Sequence, residues 1–529
     1  MIVRRVFCLM VSAVMLTLAT GQDGRPFNRP PFERRSLANL QPGELAAETY
    51  ANVVLDVLKS IHDYYHFEQI PLDTLAGRSI LALYRAAGKN PPDALVRDPG
   101  TFIKFHAGKD LREKLKLARM NLGESPKLEG ERAVHVSLRG VFSSLDLFSN
   151  YLEVDTAIRS IAEDGAGIGM YLEDRPLGNS YFVRSVQPNS LAHKNEIRPG
   201  DEILKVEQQA IESGTSTLQV NARIALSARR RAGVGLTVRK LDGTTKELHL
   251  QSFNNMDSGE LMVFGDNLDR ETPIKGVRYL GDNDWSYWID QSQRIAMIRL
   301  GTIMQRPVRE MEIINQLMDN GLKGLILDLR ECPSGIPEYT ALLAGYFLEQ
   351  NELIATLKYR NPSSNLNRDW NAGNEIRVKQ GDSRRCLSIP MAVLIGPDTS
   401  GAAEMIAAAL QDHQRAKIVG ERSRGKSTIQ KADFASDRNS GVLLSYRLTV
   451  GMFERPSGKP LNRGPSASLN EDWGVKPDLE VVLPAKVRRQ VRAWWYEHDL
   501  RPEDSLQTTM MDDARNDPVM RAALHDLLK

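Results

Sequence analysis

The first folded part of the chain has apolar residues at the spacing of an α-helix. The repeat is formed by Val54, Leu58, Ile61 and Tyr65. Residues three and four positions apart share one face of a helix, so this pattern predicts an amphipathic helix. A second helix is predicted directly after Asp73, which would be its N-cap. Residues 45–151 are therefore interpreted as a mainly helical cap region.

Short alternating runs replace the helical spacing over residues 152–252. They are YFVRSV, VGLTVRK and KELHL, with one helix-like stretch, TLQVNARIALSARR, after the first of them. Alternation of apolar and polar residues is typical of half-buried strands, so a small β-rich domain is predicted here. Gly165, Gly167 and Gly169 form a glycine-rich loop near its start. Such a loop allows backbone N–H groups to converge, which is one way to bind a peptide carboxylate.

Strands and helices alternate from Arg294 onward. The strand-like runs are IAMIRL, LILDLR, MAVLI and AKIVG, and helices are predicted over 308–318, 341–348 and 402–410. This order predicts a largely parallel sheet in an α/β core that extends over residues 253–485. In such sheets the loops after the strands carry the chemistry. Two of these loops are DLRECPSG (328–335) and GPDTSGAAE (396–404).

Composition narrows the function classes. The chain has 529 residues, of which 41% are apolar and 26% are charged, and this fits two or three globular units. A net charge of +2 gives no reason to expect nucleic acid as a partner. The nine histidines are scattered, and neither Cys332 nor Cys386 has the spacing of metal ligands, so no metal or other cofactor is expected. Two cysteines in an exported protein could form a disulfide, but Cys332 follows one predicted strand and Cys386 precedes another, which places them at opposite edges of the sheet and argues against that bond.

The first residues of the chain differ from the rest in composition. Arg4 and Arg5 precede an apolar stretch and the small residues Ala19-Thr20-Gly21, which together predict a signal peptide over residues 1–21. Export to the periplasm or to the cell exterior is therefore expected, with membrane association only if the signal is not cleaved. The apolar stretch is shorter than the roughly 20 residues that span a bilayer, so no integral membrane segment is expected after signal removal.

Residues 22–44 are predicted to form a flexible linker, because they carry Pro, Arg and Asn without periodicity. Residues 486–529 are left unassigned. The one expectation there is that Trp494 and Trp495 pack against the core.

The loop 396–404 connects a predicted strand to the start of a predicted helix. A sharp turn before a helix is a suitable position for a nucleophile, because the free N–H groups and the helix dipole stabilise a developing oxyanion. Thr399 and Ser400 supply hydroxyl groups there. Either hydroxyl is more simply explained as the N-cap of the helix.

Lys426 lies in a segment, GERSRGKS, that satisfies the P-loop expression letter for letter. The residues after Ser427 lack the helical period that a phosphate-binding helix needs, so a nucleotide site is rejected. Lys426 is then either an exposed charge or a buried amine. A buried amine whose pKa fell by roughly 3 units through desolvation could act as a general base for a serine. Gln430 is placed to hold that amine by a neutral hydrogen bond.

Seven segments in order resemble the landmarks of the C-terminal processing, or tail-specific, serine peptidases. They are LDLFSNYL, GAGIGM, RPGDEILKV, DLRECPSG, AALQDHQRAKIVGERSRGKSTIQ, MFERPSGKPL and DWGVKPDLEVV, within about residues 50–485. The resemblance implies a multidomain α/β protein with a ClpP/crotonase-like peptidase core, an N-terminal helical cap and a small PDZ β-sandwich or barrel. It implies no cofactor. The partners it implies are unfolded proteins or proteins with exposed C-termini, and it leaves homo-oligomer formation open.

The resemblance also implies roles for particular residues. Lys426 matches the general base of a Ser-Lys dyad and Gln430 its partner. The turn at Ser334-Gly335 and the N–H of Ala402 match the oxyanion hole. The carboxylate-binding loop of the PDZ domain is matched by Gly167, Ile168, Gly169 and Met170.

The nucleophile position departs from the family pattern. Gly401 lies 25 positions before Lys426 and three before Glu404, and both separations identify it as the position of the family's serine. Ser400 is one residue early and is the displaced nucleophile candidate. Two hypotheses remain: an exported serine endopeptidase that uses Ser400, and a pseudopeptidase that binds peptide tails or scaffolds a partner. Retention of Lys426 and Gln430 favours the first, which is therefore the predicted function, and Gly401 favours the second, which is the alternative.

Overall fold

The computed structural model describes most of the chain beyond residue 41. The described ranges are 42–92, 109–152, 168–173, 180–186, 190–211, 220, 223–224, 233–250, 274–281, 284–303, 306–361, 375–378, 386, 388–437, 442–464, 467–468, 470–500 and 517–529. The predicted signal peptide, nearly all of the predicted linker, Gly167 and most of the predicted helix over 217–230 lie outside these residues.

The helices are α1 (Pro42–Tyr64), α2 (Leu72–Ala87), α3 (Lys109–Asn121), α4 (Arg132–Phe142), α5 (Leu191–Lys194), α6 (Val308–Asp319), α7 (Pro337–Ala344), α8 (Ala402–Asp412), α9 (Ala485–Leu500) and α10 (Pro518–Leu527). The first ten strands are β1 (Asn150–Leu152), β2 (Met170–Leu172), β3 (Tyr181–Val186), β4 (Glu202–Val206), β5 (Gln209–Ala210), β6 (Val234–Arg239), β7 (Thr245–Leu250), β8 (Ile274–Lys275), β9 (Arg278–Gly281) and β10 (Asp284–Ser286). The others are β11 (Trp288–Asp290), β12 (Ile295–Leu300), β13 (Gly324–Asp328), β14 (Leu353–Tyr359), β15 (Glu375–Arg377), β16 (Met391–Ile395), β17 (Lys417–Gly420), β18 (Thr428–Asp437), β19 (Val442–Glu454) and β20 (Leu479–Glu480).

The N-terminal region is helical, as the periodicity predicts. Helices α1 to α4 enclose a core of fully buried side chains that includes Leu58, Leu83, Leu115 and Leu138. The prediction of Asp73 as N-cap is wrong by two positions. Helix α2 begins at Leu72 with Pro71 as its N-cap, so Asp73 lies in the first turn. Its negative charge is favourable there because it lies near the positive end of the helix dipole.

The small β-rich region contains a sheet with the strand order β2-β3-β4-β6-β7, and β5 pairs with β4. All described pairings within it are antiparallel. The runs YFVRSV, VGLTVRK and KELHL therefore form strands as predicted, although VGLTVRK ends at Arg239. The core of this region is formed by apolar side chains that alternate along these strands, among them Val183, Ile203, Leu236 and Val238.

The central sheet has the order β11-β12-β13-β16-β17-β20. The four strands from β12 to β17 are parallel neighbours, so their carboxyl ends lie at the same edge. Helices α6, α7 and α8 cover one face of the sheet. The strands IAMIRL, LILD and MAVLI are confirmed, and the predicted helix over 402–410 extends to Asp412. The helix predicted over 341–348 instead runs from Pro337 to Ala344, because Pro at its first turn allows an earlier start.

A second sheet joins the cap to the core. It has the order β1-β19-β14-β15, and β18 pairs with β19. Side chains of β19, including Tyr446 and Val450, are buried in the core of the helical cap. Strand β18 starts two residues after Lys426. A strand, and not a helix, therefore follows the segment that matches the P-loop expression, in agreement with the missing helical period.

The C-terminal residues, left unassigned from sequence, complete the core. Helices α9 and α10 cover the face of the central sheet opposite to α6, α7 and α8. Trp495 is 7% exposed in this cluster and Trp494 packs against it, so the expectation for both tryptophans is confirmed. Cys332 and Cys386 are buried free thiols, also as predicted. None of the helices within the described residues combines the length and the apolar character that crossing a bilayer requires.

Asp517 anchors the last helix to the core. One of its oxygens accepts the N–H groups of Val519 and Met520 at 3.0 and 3.4 Å, which caps α10. The other oxygen accepts the indole N–H of Trp495 at 3.2 Å and contacts the Arg330 guanidinium at 2.7 Å. Arg330 follows β13 and also binds Asp328, so one buried carboxylate connects the strand end to both C-terminal helices.

Substitution Asp517→Ala is expected to lower the free energy of unfolding by about 3–5 kcal/mol, because it leaves a buried guanidinium without one of its two carboxylates and removes a helix cap. The measurement is chemical denaturation followed by tryptophan fluorescence. The control is Asp526→Ala, which removes an exposed pair with Lys529 from the same helix and should change stability by no more than about 0.5 kcal/mol. Equal effects of the two substitutions would contradict an anchoring role for Asp517.

Candidate active site

Three loops meet at the carboxyl edge of the central sheet. They follow β13, β16 and β17, which are adjacent and parallel. They contain, in order, Ser334-Gly335, Thr399 to Gly401, and Lys426. The structure therefore brings together the residues that the sequence singles out as oxyanion donors, nucleophile candidates and general base.

The turn after β16 is fixed by backbone and side-chain hydrogen bonds. The Thr399 hydroxyl accepts the N–H of Gly396 at 2.9 Å and donates to the carbonyl of Leu329 at 2.8 Å. The N–H of Ser400 donates to the carbonyl of Cys332 at 3.1 Å. Thr399 is therefore a structural residue of the turn. The interpretation of Thr399 or Ser400 as N-cap of α8 is wrong, because the N-cap residue is Gly401.

Ser400 points into the protein. The residue is 1% exposed, and its hydroxyl has no hydrogen-bond partner among the described residues. A nucleophile must reach a carbonyl carbon of a bound substrate, and a buried hydroxyl cannot do so without rearrangement of the turn. The structure thus holds Ser400 beside the expected nucleophile position but turned away from solvent.

Gly401 has the backbone conformation of a sharp strand-to-helix elbow. Its φ and ψ angles are 63° and −123°. Residues other than glycine rarely adopt such a positive φ, and nucleophiles of hydrolases are commonly held in a strained turn of this kind. A Cβ atom built on Gly401 would have no heavy atom within 4 Å. The turn therefore leaves open space at the place where a serine side chain would project.

Glu404 connects this turn to the loop that carries Lys426. It is fully buried, and its Oε2 accepts the N–H groups of Gly401 and Lys426 at 3.1 and 2.8 Å. Its Oε1 accepts the N–H of Gly425 at 2.7 Å and the hydroxyl of Ser423 at 2.5 Å. Burial raises the pKa of Glu404, and the four donors oppose that rise. In the sequence, Glu404 marks only the spacing to the nucleophile position. The signal for its structural role is also present, because an acid three positions after an N-cap is typical of a capping box.

Lys426 is half-buried, and its Nζ lies 5.4 Å from the centroid of the Phe148 ring. Phe148 belongs to the landmark LDLFSNYL that precedes β1. The amide nitrogen of Gln430 donates to the hydroxyls of Thr428 and Thr449 at 2.7 and 3.2 Å. Gln430 is thus held by threonines on β18 and β19, and its predicted action on the Lys426 amine stays a prediction.

The proposed oxyanion donors lie close together. A Cβ atom on Gly335 would be 2.8 Å from the Cβ of Ala402, so the close approach of the two loops requires glycine there. Among the described residues, the N–H groups of Gly335 and Ala402 donate no hydrogen bond. The neighbouring Ser334 carbonyl is engaged, since it accepts the N–H of Ile303 at 3.3 Å. Two free N–H groups beside the Gly401 turn are the arrangement that an oxyanion or carboxylate oxygen needs.

The described part of the glycine-rich loop leads into β2. Gly169 has a φ of 72°, whereas the side chains of Ile168 and Met170 are buried in the core of the small sheet. The Ile168 carbonyl accepts the N–H of Ala192 at 2.9 Å, which fixes the loop against α5. Gly167 lies outside the described residues, so the carboxylate-binding role of the loop stays a prediction.

Comparisons with known proteins agree with these features. The profile of peptidase family S41 matches residues 294–481, and that of the PDZ domain matches residues 158–239. The carboxy-terminal processing protease CtpA of Bacillus subtilis is 26% identical over 365 residues, which are 68% of this chain and 66% of that protein. The carboxy-terminal-processing protease of Bartonella bacilliformis is 24% identical over 379 residues, which are 71% of this chain and 74% of that protein.

Among solved structures, the photosystem II D1 C-terminal processing protease gives a TM-score of 0.48 at 18% identity, covering 86% of this chain and 100% of that one. The matched region spans about two thirds of the length of the relative from Bacillus subtilis. The order of the two profile matches is the order in which the small β-rich region and the α/β core follow each other. Residues 294–481 are therefore identified as a peptidase family S41 domain and residues 158–239 as a PDZ domain, and the chain is similar to carboxy-terminal processing proteases.

Proposed function

We propose that this chain is an exported member of the family that binds the C-terminal tails of proteins without cleaving them through a Ser-Lys dyad. The observation that carries this proposal is Gly401. It occupies the nucleophile position of the elbow, keeps the elbow's backbone conformation, and has open space in place of a side chain.

Ser400 is poorly placed to substitute for the missing serine. Moving it into position would shift the turn by one Cα step, about 3.8 Å. That shift would break the bond from Ser400 N–H to Cys332 and displace the Thr399 hydroxyl from Leu329. A misplacement near 1 Å already costs on the order of a hundredfold in rate.

The elements that hold a peptide are kept. The N–H groups of Gly335 and Ala402, which donate no hydrogen bond among the described residues, can donate to a carbonyl or carboxylate oxygen. Lys426 adds a cationic group at the end of the neighbouring loop, and the PDZ domain supplies a second carboxylate-binding element. The names of the relatives refer to processing of carboxyl termini, which supports unfolded or C-terminally exposed proteins as binding partners. We expect these partners to be met in the periplasm or outside the cell, after removal of residues 1–21.

A second candidate function is endopeptidase activity through Ser400. One observation favours it: the Ser400 hydroxyl has no hydrogen-bond partner among the described residues, so no existing side-chain bond holds it in the interior. Lys426 would then act as general base and Gln430 would orient it.

The two candidates make opposite predictions for purified residues 22–529 mixed with an unfolded protein that has an apolar C-terminal tail. The parent chain is expected to bind the tail and not to cleave it.

Gly401→Ser should raise the cleavage rate by at least about a thousandfold, because it returns the hydroxyl to the elbow. The positive φ makes this serine strained by about 1–2 kcal/mol, which the open space around the Cβ makes tolerable. Cleavage is followed by gel electrophoresis and binding by fluorescence anisotropy of the labelled tail.

The controls are Gly401→Ala, which adds the same strain without a hydroxyl, and Gly401→Ser combined with Lys426→Ala. Neither control should cleave. Cleavage by the parent that is lost in both Ser400→Ala and Lys426→Ala would refute the binding function and establish a displaced dyad. Absence of tail binding by the parent would refute both candidates.

Glu404 should be essential for the shape of this cleft. Glu404→Gln keeps the size of the side chain but directs an NH₂ group toward the backbone N–H groups of the two loops. We expect the free energy of unfolding to fall by about 2–4 kcal/mol, because charged hydrogen bonds are lost and buried donors are left unpaired. Affinity for the tail should fall as well, because the turn and the lysine loop separate. Glu480→Gln, at an exposed position, is the matched control and should change neither quantity in denaturation and anisotropy measurements.

A further inference from the structure

A cavity of 190 Å³ lies behind the Gly401 turn. It is enclosed by the PDZ strand β3, the C-terminal helix α9 and the carboxyl ends of β12, β13 and β16. Gly335, Gly401, Ala402 and Lys426 are not among the residues that line it. The cavity is therefore distinct from the cleft formed by those residues. We call it the rear cavity.

A network of ion pairs lines the rear cavity, and two of its cations also bind carboxylates outside the lining, Arg330 with Asp517 and Arg492 with Glu173. Six cationic and five carboxylate side chains face it. Every one of the five carboxylates is bound by a cation other than Arg184. The pairs are Asp499 with Lys275 at 3.1 Å and with Arg299, Asp328 with Arg330 at 2.7 Å, Glu421 with Arg488 at 2.8 Å, and Glu331 and Asp398 with Arg492 at 3.0 and 2.7 Å.

Arg184 has the longest ion pair among the cations that line the cavity. Its side chain is only 11% exposed, and its nearest carboxylate oxygen is on Glu331 at 3.9 Å. It donates no hydrogen bond to any described residue, although a guanidinium carries five N–H donors. A nearly buried arginine without hydrogen bonds is costly, and natural proteins keep such groups where a further acceptor binds.

Ser185 adds a second unsatisfied donor. Its hydroxyl is buried, lacks a hydrogen-bond partner among the described residues, and belongs to a residue that lines the same cavity. Consecutive residues of a regular strand point to opposite faces. Here the register between β2 and β3 shifts, since Tyr171 is opposite Ser185 and Leu172 is opposite Val183. This bulge at Arg184 breaks the alternation and lets both residues face the rear cavity.

We propose that the rear cavity is a binding site for a carboxylate attached to a small apolar group, with Arg184 and Ser185 as the donors to the carboxylate. A guanidinium binds a carboxylate through two parallel hydrogen bonds, and a serine hydroxyl can supply a third. The rest of the lining includes Leu300, Ile395, Val491 and Trp495, which suit an apolar body. An apolar cavity of about 150 Å³ accommodates benzene, so a volume of 190 Å³ is large enough for a leucine-sized group.

The nearby carboxylates do not prevent an anion from binding. Burial acts to raise the pKa of Asp398, but the positive charges of Arg184 and Arg492 lower it below its usual value, so Asp398 is ionised. Asp398 and Glu331 both contact Arg492, which also binds Glu173, and the positive charge of Arg184 adds to that of Arg492 at Asp398. Arg184 acts on Asp398 only through space and keeps its own donors for a ligand.

The test uses residues 22–529 and three compounds: N-acetyl-leucine, N-acetyl-leucinamide and inorganic phosphate. The readout is the fluorescence of Trp495, which lines the rear cavity and therefore does not report on the glycine-rich loop near Gly169. N-acetyl-leucine should bind with saturation and at least tenfold more tightly than the amide or phosphate. The signal should be absent in Trp495→Phe.

Arg184→Met should weaken the binding of N-acetyl-leucine at least tenfold, and Ser185→Ala should weaken this binding several-fold. The matched control is Arg239→Met, which removes an arginine that is 49% exposed and paired with Glu202 on another PDZ strand, and it should bind as the parent does. No saturable signal with N-acetyl-leucine would overturn the proposal. So would equal binding of the amide or of phosphate, or unchanged binding in a folded Arg184→Met variant.

Discussion

The site depends on one buried carboxylate. Glu404 accepts hydrogen bonds from Gly401, Ser423, Gly425 and Lys426, and so joins the turn after β16 to the loop after β17. A fully buried carboxylate is unfavourable by itself, as its raised pKa indicates. Four donors make it favourable only while both loops keep their positions. The cleft is therefore held in shape by an interaction that involves no nucleophile.

This independence explains how the elbow can persist with glycine at its apex. In an enzyme with a serine there, the strain of a positive φ would be maintained by surrounding contacts. In this chain the hydrogen bonds to Glu404 hold the turn, and Gly401 adopts the positive φ without strain. Lys426 is held through its backbone N–H, which is bound by Glu404 whether or not its amine transfers a proton. The lysine loop thus has a structural role that does not depend on catalysis.

The sequence predicts those features that follow from local patterns. The strands of the parallel sheet are continuous apolar runs, so their positions were predictable, and the loops after them identified the site. Helix boundaries that depend on tertiary contacts were not predictable. Helix α7 starts at Pro337. The N-cap of α8 is Gly401 because Ser400 turns inward to Cys332. The anchoring of α10 by Asp517 and the position of Arg184 near Glu331 could not be predicted, since their partners are distant in sequence.

The turn after β16 faces two compartments. Gly401 opens to the cleft, while Asp398, three residues earlier, lines the rear cavity. Arg492 of α9 binds Asp398 together with Glu331 of the neighbouring loop and Glu173 of the PDZ domain at 2.7, 3.0 and 2.8 Å. A guanidinium that binds three carboxylates from three segments resists movement of any one of them, because each displacement would leave buried charge unpaired. Helix α9 is therefore the element that fixes the PDZ domain relative to the loops after β13 and β16.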